Sequence, residues 1–519
     1  MELTSLKDQI YQHFLKHHYQ PWNHYSFYIV LPSLRHSQKS PLACRETPAE
    51  VQAASRSLSA SIRELFRGLQ SLQFYIDWQQ RREKGRNPLI DPDGLHLTIH
   101  IPAQDISTPY EESLPCPHRI YPSHRLHLIP SITATLPHIP WITKLTIDQV
   151  ITYDDEASTH FAGARPLSLR TPLELAARLP ALQELTCPWL WERLPTAFAA
   201  GPEPDTRALP PPMAHYARVW EGPWRESRHE LGSPASAALA AALPAPLRTA
   251  RLWFWRADGL PDHDQAARLP DLVRPAAVDP LSAGVRHLAA RLEVLDLRAF
   301  VMPDLFSASA GHAPWSGGMR RLRVEFHPFR PDGSWYFVGP RGEDPHPGGF
   351  AVGEEHYPPA VRTREDEEVD EDYGEDQAGH GRGYEHDARS YDLFQVEPSA
   401  ERVEPLLEAF GEALGGMPSL EEAELFAWLT WQPSDERERE YGGDGSGDES
   451  FRSWRWGIRY VSAKDGMKGR VEWQVGDWRP REEIVKLFES LGGGDGVEVE
   501  WKPLEKHHGR ATWKDDESW

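Results

Sequence analysis

A short apolar pattern recurs along this chain of 519 residues and limits its fold more than any other feature of the sequence. In each copy, one apolar residue is followed three positions later by a second and two positions after that by a third. The alternation that ends the pattern predicts a short β-strand with one buried face. The seven copies are Leu69-x-x-Leu72-x-Phe74, Ile142-x-x-Leu145-x-Ile147, Leu182-x-x-Leu185-x-Cys187, Leu247-x-x-Ala250-x-Leu252, Leu292-x-x-Leu295-x-Leu297, Met319-x-x-Leu322-x-Val324 and Leu420-x-x-Ala423-x-Leu425.

Amphipathic segments precede several copies of the pattern. Leu173–Leu179, Leu281–Leu292 and Val403–Leu414 place apolar residues at three- and four-residue spacing, which predicts helices with one buried face. A helix that returns the chain to the same edge after each strand predicts that the strands lie side by side in parallel. The leucines expected to be buried are Leu72, Leu145, Leu185, Leu295 and Leu322.

Each copy resembles the L-x-x-L-x-L core of a leucine-rich repeat. The copies are spaced irregularly, whereas such repeats recur every roughly 20 to 29 residues, so large insertions separate them. The Asn that follows the strand in such repeats is missing, and Val150, Leu190 and Phe300 occupy its place in three copies. The sequence therefore predicts an α/β fold, an irregular leucine-rich-repeat-like solenoid with parallel strands and disordered insertions. The alternative, that the pattern arises by chance wherever a helix runs into a strand in an α/β domain, stays open.

Three stretches are predicted to be mobile insertions without a packed core: Pro202–Pro234, Gly339–Arg389 and Asp435–Glu449. The second contains Glu365–Asp376, with nine acids in twelve residues, which is either a solvated linker or a docking tail for a basic partner. The predicted divisions are an N-terminal helical or irregular segment (1–60), the solenoid with its insertion near 202–234 (61–338), an acidic disordered insertion (339–389), a C-terminal repeat unit with hairpin and helix (390–505) and a tail (506–519).

The C-terminal region carries the clearest local pattern. Polar and apolar residues alternate in Ser453–Val461 and again in Val471–Val475, with a turn at Lys464–Gly466, which predicts a β-hairpin. A helix over Glu482–Leu491 and a last strand over Val497–Trp501 follow. Cross-strand pairing could gather four tryptophans into one aromatic cluster. They are Trp454, Trp456, Trp473 and Trp478.

Residues that could carry chemistry are few. The motifs for phosphate loops, dinucleotide binding, zinc proteases and α/β-hydrolases are absent from the sequence. The pairs His13/His17 and His96/His100 have the spacing of two metal ligands, but no further ligand is specified, so surface or half-buried histidines are favoured. Asp258, Asp262 and Asp264 could bind Ca²⁺ or act as an acid/base pair, yet turn and capping roles are favoured. In the strand at 251–256, Trp253 and Trp255 share one face, and a packing role is favoured. We predict no catalytic, cofactor-binding or metal-binding residue.

The charge and the cysteine content limit the classes of partner and the cellular compartment that we expect. Fifty-six basic against 78 acidic residues give a net charge of −22, which argues against nucleic-acid and membrane partners and favours a basic partner. The 47 Pro and 38 Gly exclude a single compact helical bundle. Cys44, Cys116 and Cys187 are far apart and form no disulfide framework or zinc motif. The start of the chain lacks the pattern of a secretion signal, so we expect a cytoplasmic or nuclear protein.

Four segments carry a resemblance to a family: Leu182–Pro188, Leu292–Leu297, Met417–Phe426 and Val471–Pro480. Within the span 60–505, they are similar to fungal F-box and leucine-rich-repeat-like proteins. The resemblance implies a substrate receptor of a cullin-type ubiquitin ligase, in which an N-terminal F-box docks on the Skp adaptor and the repeats hold the client. The chain departs from this pattern because its Leu-Pro at positions 31–32 runs into Lys39-Ser40-Pro41 without an amphipathic helix.

The predicted function is that of a protein-interaction module without enzymatic activity, related to such receptors. Two alternatives stay open. One is a carboxylate-based hydrolase in which tryptophans form a carbohydrate platform. The other is a structural scaffold.

Overall fold

The computed structural model describes residues 22–35, 42–43, 45–82, 91, 93–102, 104–107, 124–149, 165–188, 190, 221–254, 265–266, 268–307, 313–357, 364, 392–441, 452–464, 466–491, 496–504 and 506–507. The fold is of the mixed α/β class, and its strands pair mostly in parallel. The chain divides into two compact units. The first comprises Met1–Trp191 and Pro234–Leu252, and the second comprises Glu192–Ser233 and Trp253–Trp519.

The first unit is built on a parallel sheet. Its strands are β1 (His24–Tyr28), β2 (Leu34–Arg35), β3 (Leu95–Ile101), β4 (Ile106–Ser107), β5 (Ile142–Gln149), β6 (Glu184–Cys187) and β7 (Thr249–Trp253). The last residue of β7, Trp253, is counted with the second unit. Its helices are α1 (Pro48–Arg82), α2 (Pro130–Thr133), α3 (Thr171–Ala176) and α5 (Pro234–Ala241), and α4 belongs to the second unit. The order β1-β3-β5-β6-β7 is parallel throughout, and β2 pairs with β4 in a separate two-stranded sheet.

The register of this sheet collects the apolar residues of the recurring pattern on one face. A single row across it consists of Leu97, Leu145, Leu185 and Ala250. All four are at most 1% exposed. Burying a leucine side chain contributes roughly 1.5–3 kcal/mol. Since strand side chains alternate between faces, a slip of one residue would expose the whole row, so the apolar row fixes the register.

The second unit carries the remaining elements. Its strands are β8 (Pro270–Asp271), β9 (Val294–Ala299), β10 (Arg321–Phe326), β11 (Phe337–Val338), β12 (Phe350–Ala351), β13 (Glu397–Pro398), β14 (Glu422–Trp431), β15 (Arg452–Val461), β16 (Gly469–Gln474), β17 (Val497–Trp501) and β18 (Lys506–His507). Its helices are α4 (Glu221–Leu231), α6 (Pro280–Ala289), α7 (Ala400–Gly415), α8 (Asp435–Glu440) and α9 (Glu482–Glu489), with short 3₁₀ turns at Pro303–Leu305 and Glu354–His356.

The main sheet of the second unit is mixed. Strands β9, β10 and β14 run parallel, β15 is antiparallel to β14 and β16 is antiparallel to β15, while β17 is parallel to β16. Leu295, Leu322 and Ala423 form the apolar row of the parallel part, and each is fully buried. The pairing of β15 with β16 confirms the predicted hairpin, and α9 and β17 follow as predicted.

A buried ion pair joins α4 to the start of α6 in this unit. The Arg228 guanidinium donates to the Asp279 carboxylate at 2.8 Å, and neither side chain is exposed. Asp279 also accepts the backbone N–H groups of Leu281 and Ser282, which caps α6. Removing either charge would leave the other buried without its partner, which is costly in a protein interior.

The copy of the pattern at Leu69–Phe74 lies in helix α1, so the prediction of a strand there is wrong. The preceding turns of α1 bury residues at three- and four-residue spacing, and Leu69 and Leu72 continue that series, so the helical period prevails. Leu72 is 2% exposed, as predicted, whereas Phe74 is 68% exposed. The other six copies end in the parallel strands β5, β6, β7, β9, β10 and β14.

Parts of the stretches predicted to lack a packed core are ordered, and for them the prediction is wrong. Glu221–Leu231 forms α4, whose Trp224 and Arg228 are buried, and Asp435–Glu440 forms α8. Strand β12 and a 3₁₀ turn lie within the second stretch. The acidic run Glu365–Asp376 lies outside the described residues.

The boundary predicted at residue 60 separates residues that fold together. Strand β1 pairs with β3, and α1 continues through position 60 to Arg82. In the described part of the chain, no helix is both long enough and apolar enough to cross a membrane.

The pair Leu72 and Phe74 tests the assignment of this segment to α1. Leu72→Ala should lower the free energy of unfolding by about 2–5 kcal/mol because it leaves a cavity in the core. Phe74→Ala should change it by less than about 0.5 kcal/mol because that ring is exposed. Urea unfolding followed by circular dichroism measures both. A buried Phe74 in a strand would give two comparable losses.

Candidate functional site

The face of the first unit's sheet opposite its apolar row is polar and accessible. We call it the histidine face. Its residues form three rows across neighbouring strands. The rows are His24, His96, Lys144, Glu184 and Thr249; then Ser26, Thr98, Thr146, Thr186 and Arg251; then Tyr28, His100 and Asp148. All of these side chains except Thr98 are half-buried or exposed.

Hydrogen bonds connect imidazoles and hydroxyls between the strands of this face. His24 Nε2 lies 3.0 Å from Thr98 Oγ1, and His96 Nε2 lies 2.8 Å from Thr146 Oγ1. The rings of His24 and His96 meet edge to face, with centroids 5.0 Å apart. Each threonine hydroxyl can donate or accept, so the ring nitrogens keep a partner in either tautomer. The histidines are thus held in place by the neighbouring strand.

The outer rows add an aromatic pair and an ion pair. Tyr28 and His100 stack with centroids 4.5 Å apart, and Tyr28 is 59% exposed. Lys144 Nζ lies 3.1 Å from Glu184 Oε2. The pair is open to solvent, so its contribution to stability is small, about 0–1 kcal/mol. The opposed charges of the face are accessible to a partner.

Two of the three histidines are held in the neutral form. Partial burial lowers the pKa of His96 below its usual value, and the charges of His24 and Lys144 lower it further, against the opposing effect of Glu184. Partial burial also lowers the pKa of His100, with His24 acting in the same direction and Asp148 against it. Near neutral pH, these two imidazoles are therefore uncharged.

The second unit carries charges on the corresponding face of its own strands, but there they are buried and paired. We call this set the arginine lattice. Arg323 lies 3.5 Å from Asp296 and 3.4 Å from Glu424, and Arg298 lies 2.7 Å from Glu325. All five of these residues are less than 10% exposed.

The lattice continues into the antiparallel strands. Arg455 also bonds Glu424, while Glu472 is contacted by Arg470 and by Lys502 at 2.9 Å. The guanidinium of Arg455 lies 3.8 Å from the ring centroid of Phe426, a cation–π distance. Since these charges are paired with one another within the fold, we interpret the lattice as a set of contacts that holds strands together rather than as a ligand site.

The predicted candidates have mixed outcomes. His96 and His100 are half-buried, as predicted. His13, His17, Trp255, Cys44, Cys116, Asp258, Asp262 and Asp264 lie outside the described residues. Cys187 is fully buried, and burial raises the pKa of its thiol, which makes it unreactive. Trp253 is buried with the Arg298 guanidinium 3.8 Å from its ring centroid, a packing role. Within the described residues, no group of three or more His, Cys, Asp or Glu could hold a metal ion.

The predicted tryptophan cluster forms only in part. Trp456 contacts Trp478, with ring centroids 5.9 Å apart. Trp473 instead stacks on Trp501 at 5.2 Å and faces Ile458 across the strands, so strand pairing does not place it opposite Trp456.

No protein-family model, curated protein or solved structure matches this chain. The assembly of the histidine face was not predicted, although His96 and His100 were noted. The sequence feature that indicates such a face is the polar residue between the apolar positions of each copy, such as Lys144 and Glu184. The partner strand β1 lies outside every copy, so His24 and Tyr28 gave no such signal.

Stability should fall in acid because of His96 and His100. Each has a folded pKa below the unfolded value of about 6.5, so the unfolded chain binds more protons between those two values. Their contribution is complete above about pH 6.5 and is lost as the pH falls through the folded pKa. The double variant His96→Gln with His100→Gln should show a flatter pH dependence in urea unfolding from pH 7.5 to 5. If the unfolding free energies of the variant and the wild type depend equally on pH, His96 and His100 are not the cause of the loss in acid.

The buried ion pairs of the arginine lattice predict that replacing Arg323 strongly lowers the free energy of unfolding. Arg323→Met leaves Asp296 and Glu424 without this buried partner and should cost about 3–5 kcal/mol of unfolding free energy. Arg320→Met is the matched control on the same segment, because its bond to Glu421 lies in solvent. Urea unfolding should show no measurable change for the control. Similar losses for both variants would argue against a buried lattice.

Proposed function

We propose that this chain is a protein-interaction module, an irregular leucine-rich-repeat-like solenoid that binds a protein partner through the histidine face. The observation that carries the proposal is the accessibility of this face. Parallel sheets in α/β proteins are usually covered on both faces, whereas solenoids leave one strand face open for binding. Six copies of the apolar pattern entering parallel strands support the repeat interpretation.

The relation to F-box receptors is part of the proposal. We infer a non-enzymatic substrate-receptor-like protein of the cytoplasm or nucleus in which residues 31–35 do not form an F-box that docks on Skp. The reason lies after the Leu-Pro at positions 31–32, where Leu34–Arg35 forms β2, paired with β4, instead of starting a helix. Skp docking needs a continuous apolar helical surface, and an extended segment presents none. The hydrolase and scaffold alternatives stay predictions, and the acids suggested for calcium or acid/base chemistry, Asp258, Asp262 and Asp264, lie outside the described residues.

Partner capture by the full chain tests the proposal. The double variant Lys144→Glu with Arg251→Glu reverses two charges of the face and should reduce recovery of the captured partner at least about tenfold. Lys486→Glu, an exposed reversal on α9 of the second unit, is the control and should leave recovery unchanged. Affinity purification with mass spectrometry measures both. Capture unaffected by the double variant would contradict the proposal.

A direct binding measurement separates the receptor role from general partner binding. The purified full chain should not bind the Skp adaptor, while it still captures its partner. Deleting residues 1–60 is unsuitable as a test because it removes β1 and part of α1. Micromolar or tighter Skp binding would restore the ubiquitin-ligase role.

A further inference from the structure

The histidine face concentrates three imidazoles on two neighbouring strands. His24 and His96 lie opposite each other on β1 and β3, and His100 lies four residues beyond His96 on the same side of β3. Their rings are at least partly exposed. Protonation of imidazoles here would therefore place new positive charge on one accessible surface.

The charged and titratable groups around these imidazoles come from every strand of the face. Tyr28 lies on β1, Lys144 and Asp148 on β5, Glu184 on β6 and Arg251 on β7. In the neutral state of the imidazoles, the two cations are balanced by the two carboxylates. Once the imidazoles are protonated, cations outnumber carboxylates, and His24 and His96 repel each other at a ring separation of 5.0 Å. An anionic ligand would relieve this repulsion.

We propose that the histidine face binds an acidic peptide segment of its partner and that protonation of its imidazoles switches this binding on. The proposal rests on the proposed function, since it names the partner's chemistry and the regulation of the same face. A bound carboxylate forms charge-assisted hydrogen bonds with imidazolium N–H groups and raises their affinity for protons. Binding and proton uptake are therefore linked.

An extended peptide fits the spacing of the histidines. Alternate side chains of a strand point to the same side, at roughly 6.6–6.8 Å for two residues. Acids at every second position of the peptide therefore repeat at the spacing of His96, Thr98 and His100 along β3. Such a peptide, running along β3, can place carboxylates beside both imidazoles. The Thr98 hydroxyl lies between them.

The net charge of the chain does not oppose this binding at close range. Exposed charges farther than a Debye length of about 8 Å are largely screened at physiological ionic strength. The excess of positive charge on the protonated face therefore determines whether the peptide binds there. The total charge of −22 lowers the rate at which an acidic peptide associates with the chain.

A fluorescent twelve-residue peptide of alternating Glu and Ser tests the proposal with the full chain at pH 7.5 and 5.5. Its carboxylates stay ionised at both values. Affinity should rise at least about tenfold at pH 5.5, because each proton taken up contributes up to about tenfold per pH unit. The triple variant His24→Gln, His96→Gln and His100→Gln should lose this rise. His138→Gln, an exposed histidine of the same unit, should keep it. Circular dichroism at both pH values checks that each variant is folded.

The other outcomes overturn the proposal. Affinity that does not change with pH, a triple variant that behaves as wild type, or unfolding of the wild-type chain at pH 5.5 would each exclude the proton switch. A peptide of alternating Lys and Ser, or a single-stranded oligonucleotide, that binds as tightly at pH 5.5 would exclude acidic-peptide recognition. A different result contradicts the proposed binding role of the face itself: partner capture that is unchanged when the charges of Lys144 and Arg251 are reversed.

Discussion

The parallel register of the strands is the constraint on which the rest of the structure depends. Once Leu97, Leu145 and Leu185 align in the apolar row, the pleat places every intervening residue on the opposite face. Polar residues there are brought into rows without any further requirement on the sequence. The hydrophobic core and the candidate binding face are therefore two consequences of one register.

The two units use the same alternation for different purposes. In the second unit, arginines and acids on the polar face lie within bonding distance and are buried, as with Arg323 between Asp296 and Glu424. The free-energy cost of removing such charges from water is offset only when the charges pair with one another, and pairing fixes their geometry. The first unit places short hydroxyl side chains and imidazoles at these positions, which remain partly hydrated. Its face can exchange water for a ligand at low desolvation cost.

Elements in which the spacing of apolar residues fits only one period could be predicted from the sequence. Segments that fit both a helical and a strand period could not. The hairpin of β15 and β16 and six pattern copies were predicted because alternation there has one solution. Leu69–Phe74 satisfies both a helical and a strand period, and only the preceding turns of α1 decide it. Pro and Gly in Pro202–Pro234 suggested a loop, although Trp224 and Arg228 bring enough buried contacts to order α4. The histidine face could not be predicted whole, since strand neighbours far apart in sequence, such as His24 and His96, become adjacent only through pairing.

A surface made of neutral imidazoles on a sheet has a built-in conflict between folding and binding. Protonation costs stability because partial burial and the nearby His24 disfavour charged His96 and His100. The same protonation creates the charge that an acidic ligand needs. The ligand must therefore supply at least the free energy that the fold loses, and its binding stabilises the first unit most in the pH range where that unit alone is weakest. A partner held in this way is released on return to neutral pH, because the imidazoles lose the positive charge that binds its carboxylates.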